Sequence, residues 1–264
     1  MSAGDRGNPP HPVLAAAADA ALGAYRDAIR RHTPAQLAEH VLDGADGTPS
    51  MHIDVLVEDA VIDAVTALGA NVLSEERGWV DRSSALTVVI DPVDGTANAA
   101  SGVPVSCFSG AVAVDGVFTH ALTSWLHTDD RWWAQAGVPS YRTSGRRAAE
   151  GAAVSLLRPH DRNWEAWSRV ARAAGRIRVL GCSTMDAALV ATGAIDAFAD
   201  AGSDTHRLMD LAAAAVLVPA AGGVLVDAHG RPFELDLDLT RRWSGVVAAT
   251  PELADEMCAL INLA

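Results

Sequence analysis

The stretch Asp91-Pro92-Val93-Asp94-Gly95-Thr96-Ala97-Asn98 follows the short apolar run Leu86-Thr87-Val88-Val89-Ile90. The run is rich in β-branched residues and is followed by a proline, which predicts a buried strand. Asp91 and Asp94 therefore emerge together at the carboxyl end of a strand, where α/β sheets bind their ligands. Two close carboxylates repel each other unless one is protonated or a cation lies between them. A hard divalent cation such as Mg²⁺, which prefers oxygen ligands, is the simplest partner.

An ordinary turn without any ligand is the alternative for this stretch, because Asp, Pro, Gly and Asn are all turn formers. Two further acidic clusters favour the metal site. Glu75 and Glu76 follow a second apolar, strand-like stretch. Asp210 begins an alanine-rich helical segment that runs to Gly222-Gly223. An acid at a helix start is often only a cap, so Asp210 alone is compatible with either interpretation.

The composition limits the classes of protein to which the chain can belong. At 264 residues it can bury a large core. No apolar tract reaches the length of a membrane helix, and the apolar start lacks a basic leader, so we expect neither a membrane partner nor a secretory signal. Cys107, Cys182 and Cys258 suit neither a disulfide framework nor a zinc site, so a cytoplasmic location is expected.

The formal net charge of −13 argues against nucleic acid as a partner, because a phosphate backbone requires a basic face. The same acidity opposes binding of a phosphorylated metabolite unless bound cations invert the local field. All 20 residues counted as Lys or Arg are arginines, which excludes Schiff-base chemistry and a P-loop lysine.

The hydrophobic pattern alternates between helical and strand-like segments. Helices are expected at 11–32, 53–68, 161–174, 184–192 and from 208; strands are expected near 70–74, 86–91, 106–114, 117–125, 131–135, 153–157, 176–180, 195–199 and 224–226. We expect a loop from Gly44 to Pro49, a hairpin at Asp115-Gly116, and disorder over residues 1–12. This alternation predicts layered α/β packing.

The acidic motifs together resemble those of the inositol monophosphatase family, the Mg²⁺-dependent, lithium-sensitive phosphatases grouped with fructose-1,6-bisphosphatases. The matching positions, in order, are Asp54, Glu75-Glu76, Asp91 to Asn98, Asp210-Leu211-Ala212-Ala213 and Gly222-Gly223. Gly102-Val103-Pro104 looks closer to the archaeal-type dual-specificity branch. The resemblance implies the family's five-layer αβαβα sandwich, with the metal site between two halves. Residues 1–140 would carry most metal ligands, and residues 141–264 the substrate contacts and the last metal ligand.

The resemblance also implies roles for the site residues, around two or three Mg²⁺ ions. Glu75, Asp91 and the Val93 carbonyl would hold the first ion. Asp91, Asp94 and Asp210 would hold the second, and Glu75 a third, weaker one. Thr96, with Asp54 behind it, would orient and help to deprotonate the attacking water. The amides of Gly95 and Thr96 would bind a phosphate oxygen at a helix start.

Substrate contacts are expected from Asp94, Ser183, Asp204 and Arg207. Ser183 could equally cap a helix, and Arg207 could bind a second phosphate or pair with Asp204 on the surface. The chain departs from the family pattern at Ala99 and Met209, where Phe and Trp are usual. These departures leave the substrate open.

The sequence therefore predicts a Mg²⁺-dependent phosphatase of a small phosphorylated polyol, sugar or nucleoside-type metabolite, and the family predicts a homodimer. One alternative is a nucleotide 3′-phosphatase of the same superfamily. A second alternative is a catalytically silent protein that binds a phosphometabolite, against which the intact acidic motifs argue.

Overall fold

The computed structural model describes residues 8–263. Its first half contains α1 (Pro12–Arg31), α2 (Pro34–Leu37), β1 (His40–Asp43), β2 (Pro49–Met51), α3 (His52–Ala67), β3 (Asn71–Ser74), β4 (Gly78–Val80), β5 (Leu86–Asp94), α4 (Thr96–Ser101), β6 (Cys107–Val114), β7 (Val117–Trp125) and β8 (Arg131–Gln135). The rest contains β9 (Ala153–Leu156), a 3₁₀ turn (Asp161–Asn163), α5 (Trp164–Ala173), β10 (Arg176–Arg178), α6 (Ser183–Ala191), β11 (Ala197–Ala199), α7 (Leu208–Ala212), α8 (Ala214–Ala220), β12 (Val224–Asp227), β13 (Gly245–Ala248) and α9 (Pro251–Asn262).

Two large sheets organise these elements. The first has six strands in the order β4-β3-β5-β6-β7-β8, with β5 parallel to β3 and antiparallel to β6. The second has five strands in the order β10-β9-β11-β13-β12, in which β9, β10 and β11 are parallel. Strands β1 and β2 form a separate hairpin. Strand β5 lies inside the first sheet, between β3 and β6, so other elements surround its carboxyl end.

Helices cover both sheets in five layers. Helices α1 and α3 pack on one face of the six-stranded sheet, where they share a core with Ile90 and Phe108. Helices α6, α7 and α8 lie between the two sheets, and α5 and α9 cover the outer face of the second sheet. The predicted layered αβαβα sandwich is therefore confirmed. The division into functional halves at residue 140 stays a prediction.

Several local predictions differ from the structure. Strand β5 continues past Asp91 to Asp94, because its pairing with β6 resumes beyond an irregularity between these two residues. The helix expected from 208 is interrupted at Ala213. The elements α2, β1, β2, β4, β13 and α9 have no counterpart in the predicted pattern. The expected loop is the tip of the β1–β2 hairpin. Part of the predicted disorder lies outside the described residues, at 1–7; in the remainder, the Asn8 carbonyl accepts a hydrogen bond from the Trp133 indole at 2.9 Å.

Within residues 8–263, no helix combines the length and the apolar character that crossing a membrane requires.

Candidate active site

A cavity of about 100 Å³ lies at the carboxyl end of β5. Six acidic residues line it: Asp54, Glu75, Glu76, Asp91, Asp94 and Asp210. They come from the first turn of α3, the segment after β3, the end of β5 and the first turn of α7. The structure thus brings together all the acids that the sequence predicts as metal ligands, with Asp54 beside them.

Three of these acids converge most closely. One carboxylate oxygen each from Asp91, Asp94 and Asp210 lies within 4.8 Å of the other two. Burial and the neighbouring carboxylates raise the pKa of Asp91 well above its usual range, and burial followed by Asp210 raises the pKa of Asp94 to about 6. Buried oxygen ligands with uncompensated negative charge are the donor set that Mg²⁺ requires. The residues present therefore fit a magnesium site.

Hydrogen bonds fix the orientation of two of these carboxylates. The Thr184 amide, in the first turn of α6, donates to Asp94 Oδ2 at 2.6 Å, and the Cys182 thiol donates to the same oxygen at 3.3 Å. The Val93 amide donates to Asp91 Oδ1 at 3.1 Å. The pairing irregularity between Asp91 and Asp94 lets both side chains face the cavity, as bulges beside active sites commonly do.

Thr96 and Asp54 form a second unit beside the carboxylates. The Thr96 hydroxyl donates to the Val93 carbonyl at 3.0 Å. Burial raises the pKa of Asp54 to about 7, although the interaction of its carboxylate with the Thr96 side chain opposes this rise. A carboxyl group that titrates near neutral pH is suited to general acid–base catalysis.

Arg207 is the residue immediately before α7, and its side chain lines the cavity. Its Nη2 lies 3.0 Å from Glu75 Oε1, and its Nε lies 2.6 Å from Asp46 Oδ2 at the hairpin tip. Among the described acids, Glu75 does not belong to the close group formed by Asp91, Asp94 and Asp210.

The remaining predicted substrate residues lie apart from the cavity. Ser183 is the buried first residue of α6, one position after the N-cap Cys182. Asp204 pairs with Arg231 at 2.5 Å. The alternative pairing of Arg207 with Asp204 is thus not formed, since the ion pairs of Arg207 go to Asp46 and Glu75.

Sequence reasoning missed two residues that support the site, Asp46 and Glu58. The sequence places Asp46 only within a loop, and nothing in its local pattern signals its contact with Arg207. Glu58 is buried and accepts hydrogen bonds from the amides of Glu76 and Arg77 at 3.2 and 3.3 Å. Its spacing of four residues from Asp54 was the available signal, because it places both acids on one helical face.

Gly95 forms the bend between β5 and α4. Its φ is 82°, and a Cβ there would meet the Val105 carbonyl oxygen at 2.8 Å and the Gly181 carbonyl oxygen at 3.0 Å. Gly102 at the other end of α4 has the same φ of 82°, but a Cβ added there would have no neighbouring atom within 4 Å. The two glycines therefore share the conformational requirement and differ in available space.

We expect Gly95→Ala to lower both stability and turnover more than Gly102→Ala does. The left-handed conformation costs each alanine about 1–2 kcal/mol, and thermal denaturation should show a fall of about 2–4 °C per kcal/mol. Only Gly95→Ala also displaces the start of α4, which should reduce kcat by about tenfold or more. Equal effects of the two variants on kcat would contradict this assignment.

Comparison with known proteins agrees with this geometry. Residues 10–263 match the inositol monophosphatase family. The chain is 30% identical over 220 residues to a fructose-1,6-bisphosphatase/inositol-1-monophosphatase of Thermococcus kodakarensis, covering 81% of this chain and 84% of the relative. It is 29% identical over 226 residues to the inositol-1-monophosphatase ImpA of Mycolicibacterium smegmatis, covering 80% and 79%.

A solved structure supports the fold. The MJ0109 gene product, an inositol monophosphatase–fructose 1,6-bisphosphatase, superposes with a TM-score of 0.83 at 24% identity, covering 94% of this chain and 98% of that one. Fold, acidic cavity and relatives define the class of phosphoric monoester hydrolases. Within that class, the chain belongs to the inositol monophosphatase family, as its motifs predict.

Proposed function

We propose that this protein is a Mg²⁺-dependent phosphatase of a small phosphorylated polyol, sugar or nucleoside-type metabolite. The observation that carries the proposal is the convergence of Asp91, Asp94 and Asp210 within 4.8 Å, in a cavity that Thr96 and Asp54 also line. Inositol 1-phosphate and fructose 1,6-bisphosphate are the first candidate substrates, because the Thermococcus kodakarensis relative is named for both activities.

The carboxylates are proposed to hold the ions as the family resemblance implies. Asp91, Asp94 and Asp210 would hold one Mg²⁺, and Glu75, Asp91 and the Val93 carbonyl would hold another. Bound Mg²⁺ would neutralise phosphate oxygens and make water a better nucleophile. The predicted third ion at Glu75 would compete with Arg207, which already pairs with this carboxylate.

The chain's own groups supply positioning and proton transfer. Thr96 orients the attacking water through its hydroxyl, and Asp54 behind it accepts a proton, as its pKa of about 7 allows. The amides of Gly95 and Thr96 would bind a phosphate oxygen at the start of α4. Ser183, Asp204 and Arg207 as substrate contacts, the homodimer and the cytoplasmic location stay predictions.

The test is phosphate release from a panel of inositol, sugar, histidinol and nucleotide phosphates, each with Mg²⁺, with EDTA and with added Li⁺. We expect Mg²⁺-dependent, Li⁺-inhibited release from one preferred compound. Preference for a nucleotide 3′-phosphate would support the nucleotide phosphatase instead. Absence of both release and metal binding would contradict the proposal and favour the silent binding protein.

A further inference from the structure

Arg207 is the one basic residue among the described residues that line the acidic cavity. Its guanidinium bridges two acids from distant parts of the chain, Asp46 at 2.6 Å and Glu75 at 3.0 Å. Its Nη2 also donates to Thr48 Oγ1 at 3.1 Å. Glu75 and Asp46 are thus bridged by a guanidinium, whereas the close group of Asp91, Asp94 and Asp210 is not.

The guanidinium is held firmly in this position. The Asp46 side chain is fully buried and is further bound by Arg242 Nη2 at 3.1 Å and by the Thr48 amide at 2.8 Å. The backbone amide of Arg207 donates to Asp210 Oδ2 at 2.7 Å. Because both the backbone and the planar fork of Arg207 are anchored, its charge stays at one place in the cavity wall.

This placement has an electrostatic consequence for metal binding. A divalent cation between Glu75 and Asp46 would lie against the positive charge that already pairs with both acids, and like charges at such short range in a buried site repel strongly. Within residues 8–263, no guanidinium forms an ion pair with Asp94, and Arg207 is hydrogen-bonded to Asp210 through its backbone amide. The group of Asp91, Asp94 and Asp210 is therefore not occupied by a guanidinium and stays open to cations.

We propose that the Arg207 guanidinium is a fixed cation that takes the place of a divalent ion between Glu75 and Asp46. Removing its charge should therefore create an additional divalent-ion site there. This inference rests on the proposed function and deepens it: part of the positive charge that the reaction uses is built into the chain. Arg207 accordingly acts through Glu75 and Asp46, and this role does not require it to bind a second phosphate.

The experiment counts Mn²⁺ ions bound per chain, by electron paramagnetic resonance of free Mn²⁺, in wild type and three variants. Arg207→Met should bind one more Mn²⁺ than wild type. Arg207→Lys, which keeps the charge, should bind the wild-type number. Arg242→Met is the matched control, because Arg242 also contacts Asp46 but does not line the cavity, and it should bind the wild-type number.

Two outcomes overturn the inference and leave the proposed function standing. One is an unchanged Mn²⁺ count in Arg207→Met, and the other is a gain in Arg207→Lys equal to that in Arg207→Met. If circular dichroism shows that Arg207→Met does not fold, Arg207→Gln replaces it, since it keeps a donor for Asp46 without the charge. A wild-type protein that binds no Mn²⁺ would instead overturn the proposed function, and the inference with it.

Discussion

Replacing Asp94 with Asn should abolish Mg²⁺-dependent phosphate release, with a loss in kcat of about 10³-fold or more, while the fold stays intact. Asp94 contributes one of the three converging carboxylates and is buried. Asparagine has nearly the same shape and still accepts the Thr184 amide, but it lacks the charge that holds a cation. Loss of several kcal/mol of charge stabilisation in the transition state corresponds to this reduction.

The same variant should be more stable than wild type when the metal is removed. The pKa of Asp94 in the folded protein is about 6, above its usual value of 3.8. A raised pKa gives stability that is present at low pH and is lost as the pH rises through the folded value. Asp94→Asn removes this loss, so its gain in Tm over wild type in EDTA should be greater at pH 8 than at pH 5.

Asp27→Asn is the matched control for the turnover measurement, because it makes the same chemical change on the exposed face of α1. It should leave kcat at the wild-type value. Retained turnover in Asp94→Asn would contradict the metal assignment, and a lower Tm in EDTA at pH 8 would contradict the electrostatic explanation.

Thr96→Val should lower kcat by about 10²-fold without changing the number of Mn²⁺ ions bound. Valine keeps the shape of threonine but lacks the hydroxyl that contacts the Val93 carbonyl and Asp54. A hydroxyl that orients water affects turnover, whereas a metal ligand would also affect binding. The measurement is therefore kcat together with the Mn²⁺ count.

Thr96→Ser is the control for this second variant, because it restores the hydroxyl and removes only a methyl group. Its kcat should be within a few-fold of wild type. If the serine variant is as slow as the valine variant, packing of the methyl group, and not the hydroxyl, explains the loss.

The sequence predicts the fold and part of the site well where the relevant residues are near neighbours. Asp91 and Asp94 lie three residues apart on one strand, so strand pattern and turn chemistry suffice to place both at its carboxyl end. The bend at Gly95 is likewise local, because a glycine with φ of 82° is a property of the backbone. Hydrophobic alternation similarly predicts most strands of both sheets, whereas the break at Ala213 depends on packing.

By itself, then, the sequence determined the layered fold, the family and which acids line the cavity, since these depend on local pattern and on motifs. Only the tertiary structure decided how Asp210 meets Asp94 and where the Arg207 guanidinium lies. Arg207 and Asp46 are 161 residues apart, and their contact depends on α7 and the β1–β2 hairpin packing around the same cavity. No local propensity encodes which way a long, flexible side chain turns among several acids; the electrostatic field of the assembled site does.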